Sequence, residues 1–171
     1  MTREERAISP LLPAVGAGLV AAIACGVIWG LIVKWSEYEV GFVAWGIGFV
    51  VGMAVLFATR GARGIPYQAV AIVFALLGIL LGKYLAFVWV LQEVAEEETG
   101  GLIDVPLFSG DTVDLFWSSR SEVFSWIDLL WAALAVITAW RMLGPEEPEP
   151  EVAAPAGEPD QKPLTEPSEP R

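Results

Sequence analysis

The chain has 171 residues, 55% of them hydrophobic, a formal charge of −11, no histidine and a single cysteine. Lacking histidine and a cysteine pair, it cannot build the common zinc centres, a disulfide scaffold, histidine-ligated haem or an imidazole general base. The acidic balance repels nucleic acid, and no basic groove with interleaved aromatics occurs.

The acids are concentrated between 93 and 122 and beyond Gly144, which leaves four apolar stretches nearly neutral: 11–33, 40–59, 67–91 and 124–142. A hydrocarbon core of ~30 Å needs about 20 apolar residues in a helix. Lipid cannot satisfy an open backbone, so such runs are helical whatever their Val and Ile content. The expected fold is therefore all-α: an integral membrane bundle of four transmembrane helices over 11–143, preceded by a cytoplasmic N-terminus at 1–10.

In the first span Ala14, Gly18, Ala22, Gly26 and Gly30 recur every four residues, leaving one stripe of the helix bare of large side chains. Small-xxx-small stripes let two backbones approach in lipid. Cys25 reads as a small apolar thiol. A lipoprotein processing site at Ala22-Ile23-Ala24-Cys25 would be followed by a polar chain, whereas 26–33 stays apolar. The next loop carries Glu37 and Glu39 between Trp35 and Val40, a solvated boundary short enough to make spans one and two an antiparallel hairpin.

Span two repeats the small stripe in Ala44, Gly48 and Gly52, with Val51 assigned to the outward face. Span three carries Gly78, Gly82 and Ala86 beside Lys83, the one charge well inside a span. A lysine at the centre of a membrane helix costs about 2.5–3.5 kcal/mol on insertion scales. Side chains lean toward the helix N-terminus, here the cytoplasmic end, so outward snorkelling is awkward. Lys83 should then pair with an acid near the outer leaflet, Asp128, Glu39 or Glu37.

The outer loop, 93–123, opens with Glu93 and Glu96 to Glu98, passes Gly100 and Gly101, and continues into an apolar segment, 102–108, suited to an external contact. Span four is the thinnest, with an amphipathic helix lying on the membrane surface as its alternative. Ser119-Arg120-Ser121-Glu122 has capping-box spacing, which would start its helix outside the membrane, with Asp128 leaning to the same interface. Beyond Gly144 prolines and acids alternate with little to bury, predicting a disordered cytoplasmic tail over 144–171.

Orientation follows from the basic residues: Arg3, Arg6, Arg60, Arg63 and Arg141 fall on one side, Lys34 and Arg120 on the other. By the positive-inside rule both termini are cytoplasmic, and most tryptophans fall at the outer ends of their spans.

The blocks EVGFVAWGIGFVVGMAV, YQAVAIVFALLGILLGKYLAF and FSWIDLLWAALAVITAWRM, the first two joined by a basic glycine-bearing loop, resemble a recurrent class of small bacterial multi-pass membrane proteins of uncharacterised role. The resemblance covers spans two to four, includes Lys83 and Asp128, and implies a common four-helix module in the bacterial inner membrane with no established activity.

No nucleophile and base pair, metal cluster or phosphate loop is recognisable, so a catalytic site, metal and cofactor are not expected. The function expected is that of a non-enzymatic structural or accessory subunit. Its partners are the lipid bilayer and either a second copy or another membrane protein, met through the faces of Gly18, Gly26, Gly30, Gly48, Gly52, Gly78 and Gly82. The alternative is a small transporter or channel subunit that uses Lys83 with Asp128 or Glu39.

Overall fold

A computed structural model describes residues 11–36 and 41–145. The N-terminus at 1–10, Glu37, Glu39 and the tail from 146 lie outside the described residues. The described chain is all helical: α1 (Leu11–Ser36), α2 (Phe42–Ala58), α3 (Ile65–Thr99), α4 (Gly110–Ser118), α5 (Arg120–Val123) and α6 (Trp126–Met142).

At 1.5 Å rise per residue, α1 and α3 extend about 39 and about 52 Å. Both are long and apolar enough to cross a membrane, with 26 and 35 residues. The helices α2 and α6 have 17 residues each, about 26 Å, so four full spans are not established by helix length. α2 carries no charge, whereas α6 has Asp128 in its first turn and Arg141 in its last.

Contacts are made in the same chain order between α1 and α3: Gly18 meets Phe74, Gly26 meets Gly78 and Leu81, and Gly30 meets Leu85 and Trp89. Those two helices therefore run parallel. The same holds for α2 and α6, where Gly41 meets Trp131, Gly48 meets Ala135 and Gly52 meets Ala139 and Met142. Lys83 with Asp128 and Gln68 with Trp140 make α3 and α6 antiparallel. The result is an up-down-up-down bundle with α2 and α3 in the middle, flanked by α1 and α6. The expected α1–α2 hairpin packing is present, but α1 makes its widest contact with α3. Complementary small stripes bring those two backbones together.

Three expectations are corrected. α3 does not end near 91; it continues through Glu93 and Glu96 to Glu98 because Glu, Ala and Val at its exposed end permit helix in water. It stops at Gly100, whose left-handed backbone (φ 63°) suits glycine and lets its N–H donate to Glu96 O. Val51, expected outward, is fully buried, while Phe49 and Val50 face out. The start of the last long helix is not Ser119: its side chain makes no cap bond, and the chain breaks into an extended conformation at Phe124 before α6 begins. Ser125 and Asp128 cap α6 instead.

Residues 105–118 fold back along the upper half of α3. Gln92 Nε2 donates to Val105 O (2.6 Å) and Tyr84 Oη to Leu107 O (2.6 Å). Phe116 is buried against Tyr84, Phe87 and Phe124 with ring centroids 5.3–6.0 Å apart, forming an apolar cluster separate from the bundle core. At the opposite end Gly64 N donates to Leu143 O, Arg63 to Met142 O and Gln68 Nε2 to Trp140 O. These bonds tie the α2–α3 turn to the end of α6 and gather Arg60, Arg63 and Arg141 at one end of the bundle.

Candidate functional site

The polar centre of the described bundle is built on Lys83. Its helical position next to Gly82 directs it between α3 and the break that separates α5 from α6. The side chain is buried, and Nζ lies 2.9 Å from Asp128 Oδ2 and 3.0 Å from Val123 O. The ammonium also stands 5.6 Å from the centre of the Phe124 ring, within cation–π range. The extended backbone at Phe124 ends α5, so the carbonyl of Val123 is free to turn toward the ammonium rather than continue a helical ladder.

Asp128 is held as firmly as its partner. Its Oδ2 accepts from Ser125 N (2.7 Å) and Ser125 Oγ (3.1 Å) as well as from Lys83. The carboxylate thus satisfies a backbone N–H at the start of α6 and lies at the positive end of that helix, where negative charge is favoured. An ion pair with this many fixed partners offsets much of its desolvation. Of the three acids considered for Lys83, the structure places Asp128 beside it, while Glu37 and Glu39 fall outside the described residues.

A cavity of about 150 Å³ adjoins the pair, lined by Trp29, Ala44, Ile79, Phe124, Leu129 and Ala132 besides Lys83 and Asp128. Trp29 is 1% exposed, and its Nε1 has no hydrogen-bond partner. Lys83 also lines a second cleft of about 210 Å³ with Glu122, Phe87 and Val33. Among the described residues, no group of three His, Cys, Asp or Glu is placed to hold a metal ion.

The seven glycines proposed as contact points all face other helices of the same chain. A Cβ at Gly48 would lie 2.5 Å from Ala135 O, one at Gly26 2.9 Å from Gly78 O, and one at Gly78 3.1 Å from Ala22 O. At Gly18, Gly30 and Gly82 it would meet the rings of Phe74, Trp89 and Trp29 at 2.6–2.7 Å, and at Gly52 the sulfur of Met142 at 3.2 Å. These stripes are consumed by packing within the chain. Gly16 and Gly46, by contrast, have open space around them.

Sequence reasoning missed four members of this site. The signal for Ser125 was present, since Ser125 and Asp128 have the spacing of a cap and its N3 acid, and Ser119 and Glu122 have it too. Nothing in the sequence distinguishes Trp29 from seven other tryptophans, and neither the Val123 carbonyl nor the Phe124 ring is visible before the helix break is known. Comparison of the chain with family models, curated proteins and solved structures gives no match.

Proposed function

We propose that this protein is a four-span integral membrane protein of the inner-membrane type, acting as a non-enzymatic structural or accessory subunit, in keeping with the bacterial multi-pass resemblance of its sequence. The observation that carries this reading is the outer surface of the bundle. Leu12, Val20 and Ile28 on α1, Phe49 and Phe57 on α2, Val73 and Leu77 on α3, and Leu130 and Ile137 on α6 are exposed. Contiguous apolar belts of that extent are rare on soluble monomers and match a lipid solvent. Seventeen-residue α2 and α6 fall at the short end of the spanning range.

Because the seven glycines are already occupied, assembly with a partner would use another surface. The exposed Leu102, Ile103, Phe108, Trp117 and Trp126, at the end opposite Arg60 and Arg141, supply one. The Lys83–Asp128 pair serves the fold in this reading by fixing the register of α3 against α6. A second reading, a small transporter or channel subunit working through Lys83 and Asp128, draws support from the cavity beside the pair. It is weakened by the close backbone packing at Gly26, Gly48 and Gly78.

The test uses single cysteines in a Cys25→Ser background. Leu102→Cys should react with an impermeant thiol reagent in intact cells, and Gly61→Cys only after permeabilisation, with both proteins resisting alkaline carbonate extraction. Release by carbonate, or equal labelling of the two positions, would overturn the four-span reading.

A further inference from the structure

We propose that the groove between α3 and α4 holds one acyl chain of a zwitterionic phospholipid whose headgroup ends in a primary ammonium, with that ammonium on Asp111 and Asp114 and the phosphate on Arg120. The groove has a volume of about 310 Å³. That is roughly twice a dry cavity that admits benzene, so about a dozen methylene carbons fit. Leu77, Leu81 and Tyr84 form one wall, and Phe108, Val113 and Trp117 the other. Tyr84 spends its hydroxyl on Leu107 O, so the walls present hydrocarbon and aromatic surface.

The level of the groove in the bundle decides its occupant. Asp128, in the first turn of α6, meets Lys83, and Gly41, just ahead of α2, meets Trp131 one turn further along α6. The four-helix part of the molecule therefore ends level with Lys83, and the groove, from Leu77 to Tyr84, occupies its last ~10 Å. Leu77 and Val73 belong to the exposed apolar belt, so a chain lying in the groove continues into hydrocarbon. In the membrane reading, on which this inference rests, that edge is the headgroup level of the leaflet opposite Arg60 and Arg141. Leu102 and Ile103 follow the end of α3 beyond that level and stay available to a protein partner.

At the headgroup level α4 and the residue after it carry both signs. Asp111, Asp114 and Trp117 follow at three-residue spacing, so the two carboxylates share a stripe of the helix with a side chain that lines the groove. Both carboxylates are exposed, and among the described residues neither has a cation within salt-bridge distance. Arg120 is exposed just past α4, where its Nη1 donates to Trp117 O (3.0 Å). The remaining N–H groups of the guanidinium fork suit a phosphate. A primary ammonium donates three hydrogen bonds to carboxylates, whereas a quaternary one donates none. An anionic headgroup keeps the Arg120 contact but is repelled by the two aspartates.

The experiment uses the full chain in nanodiscs of equimolar dioleoyl phosphatidylethanolamine, phosphatidylcholine and phosphatidylglycerol, with the lipids retained after release counted by native mass spectrometry. One phosphatidylethanolamine should be retained about tenfold over either competitor, the worth of one charge-assisted hydrogen bond. Asp111→Asn combined with Asp114→Asn should keep a bound lipid but lose the preference over phosphatidylglycerol. Val113→Trp, which fills the groove from α4, should abolish retention, and Leu77→Trp should do the same from α3 if Val113→Trp does not fold. Val73→Trp, on the belt below the groove, should leave the lipid in place. Equal retention of the three lipids, a preference that survives loss of both carboxylates, or undiminished retention in the groove variants would each overturn the proposal. Release of the protein by carbonate would remove the membrane reading and this site together. A carbonate-resistant protein that retains lipids without preference removes this site alone.

Discussion

Lys83 and Asp128 are each held by more than one partner, and that decides what their removal should do. Lys83→Met takes away the cation and leaves a carboxylate that still faces a low-dielectric interior, 14% exposed, with only the Ser125 bonds remaining. Breaking a buried pair from one side typically costs 3–5 kcal/mol, whereas replacing both members is often close to neutral. The expected loss for Lys83→Met is about 3 kcal/mol, at the lower end because Asp128 is partly exposed. Asp128→Asn in that background should recover ~1 kcal/mol or more, since the amide oxygen can still accept from Ser125 N without bringing a charge. Reversible denaturation of the four proteins of this double-mutant cycle measures the coupling. Additive losses would mean that the pair does not stabilise the bundle. Ser125→Ala should cost about 1 kcal/mol through loss of the hydroxyl that supports the same carboxylate.

At the scale of the helices, glycine positions of identical composition separate into two classes by what surrounds them. Gly48 faces the backbone of Ala135 and Gly46, two residues away, faces open space. Gly48→Ala should destabilise the bundle by about 1–3 kcal/mol, the usual range for overpacking, because α6 must move before the methyl group fits. Gly46→Ala should be neutral or stabilising by about 0.5–1 kcal/mol, since alanine is the better helix former and nothing obstructs it. Thermal midpoints of the two variants in one detergent give the comparison. Equal midpoints would remove the argument that α2 and α6 meet backbone to backbone. The small-residue spacing of the sequence revealed which faces of α1, α2 and α3 allow close approach, since that depends on side-chain size alone, but not that α1 meets α3 and α2 meets α6. It did not reveal which face of α2 is turned inward at Val51, because every residue from 42 to 58 is apolar or small and the helix carries no amphipathic signal. The continuation of α3 to Thr99 was hidden for a related reason: the apolar run ends near 91, but helix propensity does not.

For the molecule as a whole, the order of the four long helices was legible because each apolar run is bounded by charge, glycine or proline, and the candidate ion pair because a buried cation demands an acid at the same depth. The Trp29 cavity was not, since it depends on long-range packing between segments with no shared sequence pattern. One consequence concerns the state of assembly. All seven glycines read as close helix contacts are spent within the chain, and the turn at 61–64 is bonded to the end of α6. If every close helix contact is intramolecular, stability should not depend on a second copy. The thermal midpoint of the purified protein should therefore stay constant over a hundredfold dilution at fixed detergent-to-protein ratio. An oligomer whose interface contributes to folding must lose stability on dilution by mass action. A midpoint that falls with dilution would place part of the folding energy in contacts between chains, and the helical glycines with open space around them, Gly16 and Gly46, would become the first positions to substitute with leucine.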